Sequence, residues 1–299
     1  CRRRVKRLRR PDASIDPAVD RPELHGQIRW LRGRHTVDMA ATLRLIPLGP
    51  RNSIHRRPLL KSLKGQHITM TLLVSVIIPA YNEEASIEQV VRLSQRHADV
   101  CVVDDASTDR TGQIVPGIPG VHYIRHARNT HIPGAILDGM RYALEKGYDF
   151  CITLDAGMSH DPESMPRFQE HSHADLVIGY REKKVNVPFY RKVLSWGGNV
   201  LVNFALNIKK RPWKWRHLKD VTSGYRMYSR NAFKFLLESN MQSRSFDFHL
   251  EALANIHAEG LNITEVPIVY RHSNSSLRWR VVGHALRTYA RILFGKNLP

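Results

Sequence analysis

From residue 71 onward the chain alternates short β-branched apolar runs with segments of helical periodicity, and no other feature restricts its fold as much. TLLVSVIIPA (71–80) reads as a buried strand ended by Pro79. EEASIEQVVRLSQRH (83–97) follows, with Ile87, Val90, Val91 and Leu93 at helical spacing. DVCVVDDAS gives a second strand halting at Asp104-Asp105, and VHYIRH (121–126) a third. HIPGAILDGMRYALEKG (131–147) reads as a helix ending at Gly147, and YDFCITLDAG as the fourth strand. ESMPRFQEHSH has helical character, and ADLVIGYR (174–181) is a fifth strand. Strands alternating with helices predict an α/β fold, with a mostly parallel, Rossmann-like sheet covered on both faces. Ligands of such sheets bind beyond the carboxyl ends of the strands. Polar clusters stand at those ends here: Tyr81-Asn82-Glu83 after the first strand, Asp104-Asp105 after the second and Asp155 after the fourth.

The first turn, PAYNEE, contains no glycine, and no P-loop occurs anywhere in the chain. A dinucleotide cradle or a Walker-type NTPase is therefore excluded, and a ligand must be held by side chains and a metal. Asp155 opens a metal-and-phosphate pattern in LDAGMSHDP, but Gly157 stands where a second carboxylate would help. A hard cation such as Mg²⁺ often keeps several waters and only one or two protein carboxylates, so one acid suffices in principle. His160-Asp161-Pro162 reads as the start of a helix rather than a ligand pair, and His122, His126 and His131 as packing residues.

Charge divides the chain. Residues 1–69 hold 17 Lys and Arg against 5 Asp and Glu, a large share of the formal net charge of +19. This segment shows neither strand nor helix periodicity and reads as a solvated basic arm, with RNA or an anionic membrane as the sharper alternative partner. The chain starts with Cys, and Met70 stands just before the first strand, so residues 1–69 read as an upstream extension or mis-assigned translation. Cys1, Cys101 and Cys151 lack ligand spacing, and the two at the start of apolar runs, Cys101 and Cys151, are expected to be buried free thiols in a reducing compartment. No apolar run reaches the roughly 18–20 residues that span a bilayer. The expected location is cytoplasmic, or peripheral on the cytoplasmic face of a membrane. LRWRVVGHALRTYARILFGK (277–296) is an amphipathic helix that suits either an interfacial role or packing on its own domain, and apolar LVNFALNI (201–208) is a candidate to join it. Trp213 and Trp215 fit an interfacial anchor or a solvated loop.

VSVIIPAYNEEASI, VVDDASTDRTG, LDAGMSHDP, DVTSGYRMY and ITEVPIVY occur in that order, and together they resemble the inverting family-two glycosyltransferases. NVPFYRKVLSWGG (186–198) narrows the likeness to the dolichol-phosphate mannose synthase group and its bacterial polyprenyl-phosphate relatives. The likeness covers roughly 72–280 and implies a GT-A domain over 70–299. It implies sugar transfer from a nucleotide-diphosphate donor, GDP-mannose or a UDP-sugar, to a polyprenyl phosphate. Transfer to a saccharide hydroxyl in envelope polysaccharide synthesis is the alternative, and a non-catalytic nucleotide-sugar or RNA-binding protein a third. By the same likeness Pro79, Tyr81, Glu83, Val102 and Asp104 would receive the nucleoside, and Asp155 and Ala156 the diphosphate and its Mg²⁺ or Mn²⁺, with Ser159 as a further metal ligand. Arg181 and Arg226 would lie near the phosphates, Asp220 in the sugar pocket and Glu251 beside the donor; Asp155, Asp220, Arg226 and Glu251 form the implied catalytic set. Arg191 would help place the acceptor. Ser276 and Arg278 stand where the family grips a lipid phosphate, although Leu277 occupies the usual lysine position there.

Overall fold

A computed structural model describes residues 72–208, 217–271 and 279–294; the side chains of 190–192, 194 and 279–282 fall outside the description. The basic arm, Trp213, Trp215, Ser276 and Arg278 lie outside the described residues, as does the side chain of Arg191.

Seven strands form one sheet in the order β3-β2-β1-β4-β6-β5-β7: β1 Val74–Ala80, β2 Asp99–Asp104, β3 Val121–Arg125, β4 Phe150–Thr153, β5 Leu176–Val185, β6 Arg226–Ser229 and β7 Ile263–Arg271. β1 pairs in parallel with β2 and β4, β2 with β3, and β5 with β7. Only β6 runs the other way, antiparallel to both β4 and β5. The helices are α1 Ile87–Ser94, α2 Thr111–Ile114, α3 His131–Glu145, α4 Met165–Gln169, α5 Phe189–Asn207, α6 Arg230–Glu238, α7 Phe248–Glu259 and α8 Trp279–Phe294. The five strands expected from the apolar runs are all present, and the sheet is mostly parallel as anticipated. The first helix is shorter than its periodicity suggested, because residues 83–86 form a turn bonded to the neighbouring loop instead.

Alternation of side chains along the buried strands supplies two cores. On one face Ile77, Cys151 and Ile178 pack under α3, α6 and α7; on the other Val76, Ile78, Val102 and Ile152 pack under α1 and α4. α3 lies so close on β1 that a Cβ at Gly139 would stand 2.4 Å from the Ile77 side chain, so this glycine sets the helix–sheet distance. Gly147, at φ +80°, turns the chain from α3 into β4. Cys101 and Cys151 are buried free thiols, in line with expectation. α8 settles on its own domain: Ala285, Tyr289, Ile292 and Leu293 pack against the core, and the Thr288 hydroxyl donates to Asp247. Of its two expected roles the described residues therefore support packing.

Candidate active site

Strand register brings the predicted polar residues level. Ala80 pairs with Asp104, and Ile77 with Thr153, so the ends of β1, β2 and β4 finish side by side and Asp155 follows at the same rim. The loops beyond them are locked together. Asn82 occupies the left-handed region at φ +57°, which asparagine tolerates, and its side-chain oxygen accepts from the Thr108 and Asp109 amides. The Asn82 amide donates to the Ser107 hydroxyl and the Glu83 amide to that of Thr111. Tyr81 is left exposed on this rim and Pro79 is half-buried beneath it. Burial pushes the Glu83 carboxyl up; the Ser86 hydroxyl opposes this, and Asp155 across the crevice adds to it. Glu83 and Asp155 are thus close enough to repel one another at this rim.

Other members of the predicted donor set are spent on the protein itself. Asp104 is fully buried: it accepts from the Ser107 amide, the Tyr123 hydroxyl at 2.7 Å and Arg125 at 2.9 Å. It holds the loop rather than presenting oxygens to a ligand. Val102 lies in the core beside Ile78, with no surface for a nucleoside, and Ala156 is buried in the same cluster. Asp105, its neighbour, accepts from the Thr130 amide and pairs with His126, fixing the start of α3. His126 also reaches Asp138, and His122 stacks on Tyr142, so both histidines pack as expected.

The Asp155 carboxylate is 39% exposed, the accessible acid at the end of β4. His160 Nδ1 stands 3.3 Å from it. Burial raises the Asp155 carboxyl, but His160 outweighs it with help from His249 and Arg181, and the net shift is downward. His160 is buried between Tyr225 and Tyr270, and its backbone bridges to Tyr270; Asp161 instead caps the following turn by accepting from the Glu163 amide. The helix-start reading therefore holds for Asp161 and not for His160. His249, on α7, is also buried; burial, assisted by Arg226, pushes it down to about 3, so it is a neutral ring. A Cβ at Gly224 would stand 3.0 Å from His249 Nε2 and 3.4 Å from an Asp155 oxygen, so only glycine leaves these two groups their approach.

The opposite wall is built of tied charges. Arg181, at the register shift in the middle of β5, makes a bidentate pair with Asp220 at 2.6 and 2.7 Å, contacts Thr222 and lies over the Tyr270 ring. Burial alone would raise Asp220, but Arg181 holds its carboxyl down at about 2. Arg226 is fully buried, and it donates to the carbonyls of Ser223, Val221 and His249. In place of the expected phosphate contact the guanidinium binds backbone, with two bonds inside the 221–226 turn and one that ties the turn to α7. Glu251 is corrected likewise: it accepts from the Gln242 and Ser243 amides and faces Arg291, away from the role of a donor-side acid. Residues 249 and 251 sit on opposite sides of a helix, so choosing Glu251 from FHLEAL selected the wrong face and missed His249. The glycine in DVTSGYR was the available signal for a close approach.

No group of three His, Cys, Asp or Glu is gathered for a metal among the described residues. Gly157 adds no carboxylate, and Ser159 is buried with its carbonyl accepting from the Arg271 amide. One exposed carboxylate suits a cation that draws most of its ligands from phosphate and water, not a self-sufficient protein cage.

Comparison with known proteins agrees with this construction. The Glycosyl transferase family 2 model matches residues 75–237. The undecaprenyl-phosphate mannosyltransferase of Micrococcus luteus is 34% identical over 71% of this chain and 90% of its own length. The polyprenol monophosphomannose synthase of Mycolicibacterium smegmatis is 30% identical over 65% of this chain and 76% of its own. Among solved structures, glucosyl-3-phosphoglycerate synthase of Mycobacterium tuberculosis, crystallised with Mn²⁺ and UDP, superposes with a TM-score of 0.55 at 19% identity, covering 76% of this chain and 81% of that one. That likeness is one of fold, and the fold is the GT-A type. With strand order, rim and motif match in agreement, the chain belongs to glycosyl transferase family 2.

Proposed function

We propose that this glycosyltransferase moves a sugar, with inversion, from a nucleotide-diphosphate donor to a polyprenyl phosphate at a membrane surface. One observation favours an ionised phosphate over a sugar hydroxyl as acceptor: Asp220 and Glu251, the other two carboxylates of the implied catalytic set, are already engaged. Asp220 is clamped to Arg181 and held near 2, and Glu251 is occupied by backbone amides. A neutral hydroxyl needs a base poised near the working pH, whereas a phosphate monoester attacks as it arrives. The names of the Micrococcus and Mycolicibacterium relatives support the lipid phosphate and suggest mannose as the sugar.

Tyr81, Glu83 and the locked 82–111 loops would hold the nucleoside, and Asp155 the diphosphate end. A divalent cation, Mg²⁺ or Mn²⁺ as in crystals of the mycobacterial synthase, would neutralise the departing diphosphate when bound. Asp155 is the residue that would hold it. His160 and Arg181 would favour the ionised carboxylate, while His249 stands beside it as a neutral ring. With the acceptor lipid in a bilayer, the protein would work peripherally, on the cytoplasmic face where nucleotide sugars are supplied.

Radiolabelled GDP- and UDP-sugars, Mg²⁺ or Mn²⁺ and a polyprenyl phosphate provide the test. Label should pass into organic solvent, and Asp155→Ala should reduce transfer by about 100-fold or more with the circular dichroism spectrum unchanged. Full activity in that variant, or label recovered only in water-soluble saccharide, would overturn the assignment.

A further inference from the structure

The two oxygens of Asp155 face different neighbours. His160 Nδ1 lies 3.3 Å from Oδ2. Oδ1 looks instead towards Gly224: the position a Cβ would take on that glycine is 3.4 Å from Oδ1 and 3.0 Å from Nε2 of His249. One carboxylate oxygen and one imidazole nitrogen therefore border the same small space, and residue 224 keeps it open by having no side chain. His249 is only 4% exposed, and its Nδ1 is buried without a hydrogen-bond partner, which leaves Nε2 as the nitrogen turned to this space.

Arg226 fixes both sides of that space. Its guanidinium donates to the His249 carbonyl at 2.6 Å and to the carbonyl of Ser223, next to Gly224, at 2.8 Å. Ring and glycine are thus held against each other by one fully buried side chain. Other polar groups near Asp155 are differently employed: Glu83 accepts from the Ser86 hydroxyl at 3.1 Å, and Gly157 brings no side chain. Burying a ring that the protein leaves unsatisfied costs about 1–3 kcal/mol. A cation is the partner that this pair of atoms suits, with anionic oxygen on one side and a nitrogen lone pair on the other.

We propose that His249 is a nitrogen ligand of the cation that Asp155 holds, and that it stands in for the second carboxylate that Gly157 lacks. Two protein ligands then meet the cation, and the phosphates of the donor and water complete its shell. No cluster of three protein ligands is needed, and none is gathered among the described residues. The assignment rests on the reading of Asp155 as the metal-holding residue and adds to it a choice of metal. Mg²⁺ is a hard cation that takes oxygen, whereas a site containing nitrogen favours transition metals, more strongly from Mn²⁺ to Co²⁺. The site should therefore prefer Mn²⁺ and Co²⁺ to Mg²⁺.

Pulsed electron paramagnetic resonance of Mn²⁺ bound to the untagged full chain is the test, with inorganic pyrophosphate in place of the donor because it contains no nitrogen of its own. Wild type should show coupling of the Mn²⁺ spin to an imidazole nitrogen. His249→Asn, with an unchanged circular dichroism spectrum, should abolish that coupling. It should also weaken Mn²⁺ binding at least about tenfold and Mg²⁺ binding less than about threefold. His160→Asn should leave the coupling in place. Gly224→Ala, whose Cβ would fill the shared space, should weaken Mn²⁺ binding without removing a ligand. No bound Mn²⁺ in wild type, bound Mn²⁺ without nitrogen coupling, or coupling that survives His249→Asn each overturns the proposal. The second of these is the result expected if His249 Nε2–H only donates to Oδ1. Transfer of label to polyprenyl phosphate by wild type is scored separately, so the acceptor assignment can stand while the nitrogen ligand falls.

Discussion

The two walls of the crevice are built by different means. On the β1–β2 side, turn residues bond to neighbouring turn residues: Asn82, Ser107, Asp109 and Thr111 satisfy one another's amides over loops of a few residues. On the β5–β6 side, buried charge spans distant parts of the chain: Arg181 meets Asp220, and Arg226 gathers Val221, Ser223 and His249. The first wall divides its stability among many bonds between neighbouring loops, several of them accepted by the Asp104, Asp105 and Asp109 carboxylates, each worth about 1–2 kcal/mol. The second concentrates it in a few ions that cost much if one partner is lost. The difference predicts where the molecule is fragile and where it is tolerant.

Arg226→Met should have the largest effect. The substitution orphans three buried carbonyls and frees α7 from the 221–226 turn, so a loss of about 3–5 kcal/mol is expected in chemical denaturation. A loss below about 1 kcal/mol would show that the second wall does not depend on its buried ion. Asp220→Asn comes next, at about 2–3 kcal/mol near neutral pH. Because the folded carboxyl is depressed to about 2, its contribution is full above the unfolded value and disappears as the pH falls from about 4 to 2. Wild type and variant should therefore converge in stability across that acid window, and a gap that survives at its lower end would mean the Arg181 tie is not the source. Asn82→Ala should cost least, about 1–2 kcal/mol, by removing an acceptor from two amides and placing a Cβ-branched-free but non-asparagine residue at positive φ. Its transfer activity should fall chiefly through a higher KM for the donor, since the loop that carries Tyr81 loosens.

The same contrast explains what could be read from the amino-acid sequence. The β1–β4 wall was legible because strand ends and turn chemistry are local: an apolar run fixes where a strand stops, and Asn, Asp, Ser and Thr announce the loop. Asp155 was found in this way, and so were the Tyr81–Glu83 and 104–111 loops. What a strand-end acid does afterwards is not local. Asp104 looked like a nucleoside ligand, but Tyr123 and Arg125, about twenty residues on, consume its oxygens. Arg226 and Glu251 carried charge in a motif, and charge in a motif does not reveal whether it faces ligand or backbone. β6 went unseen because RMYS is four residues long and its pairing with β4 and β5 bridges separations of about fifty to eighty residues.

The reversed direction of β6 has one more consequence. A strand entering from the rim, next to the end of β4, delivers the chain that precedes it to the crevice without any crossover helix. Asp220 and Gly224 are consequently set at the rim by the same short connection that turns the chain into β6. One antiparallel strand thus lets a single short loop supply both the partner of Arg181 and the close approach to Asp155.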